Sequence, residues 1–226
     1  MMAAARAAVI GALCLGALRL GALRLGALRL GVSAARATTV DGVVTIDGRP
    51  AAHAVVYLES HGVASRIAAS HSVASHGVAR PAMPARRVVM DQKNLAFVPE
   101  VLPVAAGTVV EFTNSDDVQH NVFSPSALAG KFNLGTYGPG ATRTVTFDKP
   151  GDVRVLCNIH MEMEAHILVL EEPYFSTVAQ DGSYRIPDLP AGTYTVKVWH
   201  ERWLPFTQTV ELPAAGSRTV NITAGK

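Results

Sequence analysis

Short segments that alternate between apolar and polar residues, each bounded by turn residues, dominate the chain from residue 38 onward. Residues 108–113 read Thr-Val-Val-Glu-Phe-Thr, and residues 143–147 and 152–156 carry similar β-branched runs. Gly, Pro and Asp separate these runs at intervals of roughly 8–12 residues. Helical periodicity is almost missing, so the sequence predicts an all-β fold built from β-sandwiches.

The strand-like runs fall into a central region, residues 88–171, and two flanking regions, residues 38–60 and 172–226. Residues 61–87 are rich in small residues, polar residues and histidine, which is typical of a linker or a long loop,. An isolated two-stranded hairpin is marginally stable, and domain insertion is tolerated where chain ends lie close together. We therefore predict that the two flanks form one small β-sandwich, with the central region inserted in one of its loops.

Residues 1–37 are predicted to be a cleaved export signal, because Arg6 precedes the apolar residues 7–18 and an Ala35-x-Ala37 cleavage site follows,. A repeated Gly-Ala-Leu-Arg-Leu unit places charges inside the apolar stretch, which argues against a membrane span,. An N-terminus that is retained as an anchor stays an alternative. The expected location is the periplasm or the exterior.

Removal of this segment changes the charge of the chain. It contains five arginines and no acidic residue, so the mature chain has 15 basic and 18 acidic residues and a net charge of −3 instead of +2. The basic character of the whole chain therefore resides in the predicted signal. We expect no nucleic-acid partner.

One cysteine, Cys157, remains in the predicted mature chain, and it begins a Cys-x-x-His-x-x-Met sequence that includes His160 and Met163. A further histidine, His120, lies upstream. One thiolate, two imidazoles and a weak thioether are the ligands of a type 1 copper site. The sequence thus predicts one copper ion held by these four residues. His166, which enters the following strand, is expected to face solvent.

The central region, with its His120-Asn-Val and Cys-x-x-His-x-x-Met sequences, resembles the cupredoxins, in particular the amicyanin and plastocyanin branch. This resemblance implies a Greek-key β-sandwich in which Asn121 hydrogen-bonds across to the cysteine loop and the edge of His160 passes electrons. Ile159 and Met161 would form a small apolar docking patch. Met161 competes with Met163 for the weak axial position, and the His-x-x-Met spacing favours Met163.

The flanks resemble the transthyretin-like regulatory module of carboxypeptidases. The early part of this resemblance is Gly-x-Val at 42–44, Gly-x-Pro at 48–50 and Ala-Val-Val at 54–56. The late part is Asp-Gly-Ser-Tyr at 181–184 followed by Leu-Pro-Ala-Gly-Thr-Tyr-Thr-Val at 189–196. The whole chain resembles bacterial periplasmic proteins described as plastocyanin-like or as methylamine-utilisation proteins.

These features predict an exported blue copper protein that carries one electron between redox partner proteins, which the sequence leaves unidentified. The chain has no paired His-x-His motif for a second copper site and no hydrolase motif such as His-Glu-x-x-His, so we expect no enzymatic activity,. Two alternatives stay open. The protein could bind and deliver copper as cargo, or it could be a surface interaction module in which copper is incidental.

Overall fold

The computed structural model of the chain describes residues 37–61, 87–126, 131–201 and 206–224. Nearly all of the predicted signal at 1–37 and of the predicted linker at 61–87 therefore lies outside the described residues. Within the described residues the secondary structure consists of strands, turns and irregular segments. The all-β prediction is confirmed. No helix long and apolar enough to cross a bilayer occurs in this described part of the chain.

The first half of the strands runs from the N-terminal flank to the middle of the central region: β1 (Thr38–Ile46), β2 (Arg49–Pro50), β3 (Val55–His61), β4 (Arg87–Lys93), β5 (Ala96–Val98), β6 (Val101–Ala105), β7 (Thr108–Asn114), β8 (His120–Ser124) and β9 (Phe132–Tyr137). The second half completes the chain: β10 (Thr142–Phe147), β11 (Gly151–Leu156), β12 (Glu164–Leu170), β13 (Phe175–Thr177), β14 (Ser183–Leu189), β15 (Gly192–Trp199), β16 (Phe206–Leu212), β17 (Gly216–Thr219) and β18 (Ile222–Ala224).

Strands from both flanks share two sheets, which we call the outer sandwich. In one sheet β1 lies between β14 and β17 and also pairs with β2 and β18, and the other sheet has the order β13-β3-β15-β16. Strand β3 pairs along its whole length with β15, from Val55 opposite Trp199 to His61 opposite Thr193. The apolar faces of both sheets form one core, to which Val40, Leu58 and Tyr194 contribute. Neither flank supplies this core alone.

The chain between β3, which ends at His61, and β13, which begins at Phe175, contains the whole central region. These strands are antiparallel neighbours, with Val55 opposite Thr177 and Tyr57 opposite Phe175. Just beyond the paired residues, the carboxylate of Glu172 accepts hydrogen bonds from the backbone amide and the hydroxyl of Ser60 at 3.1 and 2.6 Å. The central region therefore connects the two antiparallel strands β3 and β13, in the position of a hairpin loop.

Strands of the central region form a second pair of sheets, which we call the inner sandwich. Their orders are β10-β7-β4-β5 and β6-β12-β11-β8-β9. Its core is separate from the outer one and includes Met90, Phe112, Val155 and Ile167, all fully buried. Alternation between buried and partly buried residues along β7 places Val110 and Phe112 inward, as its sequence pattern predicts,.

A third, smaller cluster joins the two sandwiches. Val101, Leu168 and Leu170 of the inner sandwich pack with Val55 of the outer one, against partly buried rings that include Trp199. Strand β12 is therefore buried on both faces, which explains its continuous apolar run from Ile167 to Leu170,.

Several strands were not predicted. Strand β6 contains a proline, Pro103, and such a residue argues against a strand unless it lies at a sheet edge, which is where β6 lies,. Strand β9 alternates only from Phe132 to Leu134 and is then interrupted by Gly135, so its strand pattern is short. The β-branched run at residues 218–223 is typical of one continuous strand, but β17 ends at Thr219 and β18 begins at Ile222.

Candidate metal centre

The predicted metal ligands come from two segments at one end of the inner sandwich. His120 begins β8, directly after the loop at 115–119, and Cys157 directly follows the end of β11. These strands are neighbours, with Leu156 of β11 opposite Phe123 of β8. The pairing brings His120 close to the loop at 157–163 despite their separation in sequence.

His120, Cys157 and His160 form a group whose possible ligand atoms all lie within 4.8 Å of one another, and it is the one such group among the described residues. The Nδ1 atoms of His120 and His160 face each other at 3.0 Å. Two imidazole nitrogens that each lie about 2 Å from one metal ion are on the order of 3 Å apart. The donor atoms therefore have the spacing that a shared metal ion requires.

The thiol of Cys157 is buried and held by backbone amides. The amides of Asn121 and His160 both donate to its sulfur at 3.5 Å. The loop closes on itself, because the Met163 amide donates to the His160 carbonyl at 3.0 Å and the Cys157 amide donates to the Met163 carbonyl at 3.3 Å. These hydrogen bonds fix the position of the sulfur relative to both ligand segments.

The two methionines of the loop differ sharply in burial. Met163 is 1% exposed and belongs to the inner core, whereas Met161 is 82% exposed. Ile159 is also exposed, at 45%. A side chain that points to solvent cannot act as a buried axial ligand, so the burial agrees with the sequence preference for Met163 and places Met161 and Ile159 on the surface.

The two histidines also differ in burial. His120 is fully buried, and His160 is partly exposed. Their rings meet edge to face, with centroids 4.9 Å apart. Of these two rings, that of His160 is therefore the one that reaches from the donor group toward solvent.

A carboxylate that the sequence pattern does not reveal contacts the buried histidine. Asp116 Oδ2 lies 2.8 Å from His120 Nε2, on the side of the ring opposite Nδ1. Hydrogen bonds from a ligating imidazole's second nitrogen to a carboxylate fix its tautomer and orientation. An acidic residue four positions before the histidine was visible in the sequence, but nothing local shows that it folds back onto the ring.

Asn121 contacts the cysteine loop in a different way from the one that the resemblance implies. Its backbone amide donates to Cys157, but its side-chain amide donates to Asn133 Oδ1 on β9 at 2.9 Å. The side-chain Oδ1 is buried and has no hydrogen-bond partner among the described residues. The two ligand segments are thus joined at this position by the main chain.

The expectation that His166 faces solvent is wrong. Its residue exposure is 8%, because β12 lies between the two sandwiches. Its Nδ1 contacts Asp152 Oδ1 at 2.9 Å, and its ring lies 5.3 Å from that of Trp199 on β15. The hydrogen bond with Asp152 raises the pKa of His166, and burial opposes this effect. His166 is therefore a structural residue of the junction.

Two family models match the chain. Residues 85–170 match the copper binding proteins of the plastocyanin/azurin family, and residues 163–225 match the carboxypeptidase regulatory-like domain. The central region is therefore similar to the copper-binding domains of that family. The matched residues 85–170 include the inner sandwich and all four predicted ligands, so the copper cofactor predicted from the sequence is confirmed. The second match covers the C-terminal flank, begins at Met163 directly before β12, and overlaps the first match at residues 163–170.

Comparison with solved structures finds copper proteins. The Cu(I) form of a methionine-to-alanine variant of amicyanin is 20% identical, with 37% of this chain and 82% of that chain covered and a TM-score of 0.36. A reduced tryptophan-to-tyrosine variant of amicyanin is 21% identical, with the same coverage and TM-score. A copper-containing nitrite reductase from Thermus scotoductus SA-01 is 29% identical, with 46% and 26% covered and a TM-score of 0.37. Comparison with curated proteins finds no match.

Proposed function

We propose that the protein is an exported type 1, or blue, copper protein that carries one electron at a time, with His120, Cys157, His160 and Met163 as ligands. The observation that carries this proposal is the converging group of two imidazole nitrogens and one thiol sulfur, with donor atoms within 4.8 Å of one another. When bound, copper supplies a one-electron Cu(I)/Cu(II) couple. The residues of the chain then determine how easily the copper changes between these two oxidation states.

Fixed ligand positions support electron transfer. The amides of Asn121 and His160 hold the Cys157 sulfur from two separate segments. The ring of His120 is held on its far side by Asp116. Ligands that are fixed in this way move little when the charge of the site changes, so the reorganisation that accompanies electron transfer is small.

The exposed part of the site supports a docking role for the surface around His160. Its ring reaches solvent, while the exposed side chains of Ile159 and Met161 lie on either side of it in the loop. An apolar patch of this kind buries little area in a complex, which suits a transient redox encounter. We propose that a redox partner protein docks here and that electrons pass through the His160 ring.

Export is supported by the N-terminal sequence pattern. A charged residue, an apolar stretch and small residues at positions 35 and 37 are typical of a secretory signal,. Fractionation of cells that express the full chain, followed by N-terminal sequencing, tests this part. Cleavage after Ala37 is expected. A protein that stays in the cytoplasm with residues 1–37 intact would contradict it.

Copper reconstitution of residues 38–226 tests the site. We expect a strong visible absorption and a narrow copper hyperfine splitting in electron paramagnetic resonance, and we expect Cys157→Ser to lose both. Electron self-exchange that is fast without loss of metal would support the carrier role. Rapid transfer of Cu(I) to an acceptor protein or chelator, with slow electron exchange, would instead favour copper delivery.

A further inference from the structure

We propose that Asp116 is a positioning residue that fixes the tautomer of His120 and thereby lowers the reduction potential of the site. The turn between β4 and β5, residues Asn94 and Leu95, holds Asp116 in place. The inference rests on the proposed function only where it concerns the reduction potential. The tautomer of His120 is a property of the chain with or without metal.

The Asp116 carboxylate makes three contacts. Oδ2 lies 2.8 Å from His120 Nε2 and also accepts a hydrogen bond from the Leu95 amide at 3.0 Å. Oδ1 accepts a hydrogen bond from the Asn94 amide at 2.6 Å. Two donors from the turn and one from the imidazole therefore share the two oxygens, and together they fix the orientation of the carboxylate.

The turn has an unusual backbone. Asn94 and Leu95 have φ angles of 55° and 58°, and they connect two paired strand residues, Lys93 and Ala96. A two-residue hairpin of this type favours Asn or Gly at both positions, because φ is positive at each. Leucine is disfavoured there. The hydrogen bonds from both turn amides to Asp116 stabilise this conformation.

The main chain of Asp116 is fixed as well. Its amide donates to the side-chain oxygen of Asn114 at 3.0 Å. The Asn114 side-chain nitrogen in turn donates to the Val118 carbonyl at 2.9 Å and to the Tyr137 carbonyl at 3.2 Å, and Asn114 is 1% exposed. The loop before His120 is thus tied to β9, which limits the positions that Asp116 can take.

The chemical consequence follows from the roles of the two ring nitrogens. A carboxylate accepts a hydrogen bond from a proton-bearing nitrogen, so Asp116 keeps the proton on Nε2 and leaves a lone pair on Nδ1. Nδ1 is the atom that faces His160 across 3.0 Å. A carboxylate partner also makes the imidazole a stronger electron-pair donor. A stronger donor stabilises Cu(II) relative to Cu(I), and the reduction potential falls.

The tautomer is measured first, by ¹⁵N nuclear magnetic resonance of the histidine rings in metal-free protein. We expect His120 in the wild-type protein to carry its proton on Nε2. Asp116→Asn should give a mixture of both tautomers. Asp117→Asn is the matched control, because Asp117 is the exposed neighbour and the change in charge is the same. A proton on Nδ1 of His120 in the wild-type protein would overturn the proposal, whatever the variants do.

The potential is measured next, on the copper-loaded proteins by voltammetry. Loss of a hydrogen-bond partner of a metal ligand costs about tenfold in metal affinity or more. If the site loses tenfold in affinity for Cu(II) and none for Cu(I), Asp116→Asn raises the reduction potential by about 59 mV. This is the shift that a tenfold change in an equilibrium constant gives for one electron. Asp117→Asn should give a much smaller shift. Equal shifts in both variants would mean that charge alone acts, and would refute the positioning role.

The two proposals fail in different ways. A wild-type protein that binds no copper as a blue centre refutes the proposed function, while the tautomer measurement still decides the role of Asp116. If Asp116→Asn does not fold, Asp116→Glu keeps the charge but lengthens the side chain. It should disturb the His120 tautomer, and an unchanged tautomer and potential would count against the inference.

Discussion

At the scale of single residues, burial separates side chains that look alike in the sequence. Met161 and Met163 both follow His160 closely, yet the first is almost fully exposed and the second is part of the inner core. The difference arises because the Met163 amide and carbonyl close the loop at its end, next to β12. The role of each methionine can therefore be tested by substitution.

Met163→Ala should change both the site and the stability. Loss of a weak axial ligand alters the visible spectrum and the reduction potential, and truncation of a buried methionine costs about 2–5 kcal/mol. Spectroscopy and urea denaturation measure these effects. Met161→Ala is the matched control, with an unchanged spectrum and stability but weaker partner docking. An unchanged spectrum for Met163→Ala would reverse the assignment of the axial ligand.

At the scale of elements, β1 organises the outer sandwich because it pairs on both sides. It is antiparallel to β14 and parallel to β17 and then β18. The switch from β17 to β18 takes place beside Gly42, where a Cβ atom would lie 2.0 Å from the Val220 carbonyl oxygen. The Tyr184 hydroxyl donates to the same oxygen at 2.7 Å. Glycine is required at position 42 because the backbone of Val220 lies too close for a side chain.

Gly42→Ala should therefore destabilise the outer sandwich by about 1–3 kcal/mol or more, since the backbone must move to relieve the overlap. Thermal or urea unfolding measures the loss. Gly138→Ala is the control, because a Cβ atom at that position would lie 3.8 Å from the nearest side-chain atom, Cγ of Gln119. Equal stability of the two variants would show that β1 can shift away from Val220.

The junction between β12 and β15 should respond to pH through His166. Asp152, Glu201 and Glu164 all favour its charged form, and the pKa of His166 is raised. Below about pH 6.5, the ordinary pKa of histidine, the stabilisation is fully present. It is lost as the pH rises through the higher pKa of the folded state.

Urea denaturation of metal-free protein between about pH 5 and 9 measures this effect across the ordinary histidine pKa. We expect the difference in unfolding free energy between the wild-type protein and Asp152→Asn to shrink as the pH rises. Because both proteins contain the same other histidines, the contributions of those histidines to the pH dependence cancel in this difference. A difference that is constant over this range would show that Asp152 acts on the junction without the charge of His166.

At the scale of the whole molecule, the order of the strands makes the copper-binding region an insertion between β3 and β13. These strands pair directly, and Ser60 and Glu172 are joined by hydrogen bonds where the central region departs and returns. Each sandwich has its own core, and a small apolar cluster joins them. The domain boundaries drawn from the sequence stay a prediction, which a deletion can test.

Replacement of residues 62–171 by a short Gly-Ser loop should leave an outer sandwich that folds and unfolds cooperatively. A loop of about two to five residues is typical for a hairpin of this kind. Stability should fall, because Val55 and Trp199 lose their apolar contacts with the inner sandwich,. Well-dispersed nuclear magnetic resonance spectra and a single unfolding transition are the expected results. A collapsed species without a cooperative transition would contradict the insertion prediction.

The sequence by itself determined the all-β class, the copper cofactor and the local part of the site. Cys157, His160 and Met163 lie within one loop, so covalent connection limits how far apart they can be, and their spacing is informative. Strand β7 was predictable because its alternation matches a half-buried strand,. These features depend on a few neighbouring residues.

Only the tertiary structure decided which distant residues meet. It brought Asp116 and the Asn94–Leu95 turn to His120, buried His166 between two sandwiches, and gave Asn121 a side-chain partner on β9. It also defined β6, whose sequence lacks alternation, and β9, whose alternation is short, because each of them pairs with a neighbouring strand. The physical reason is that such contacts arise from the packing of whole sheets, and packing is not encoded in the spacing of nearby residues.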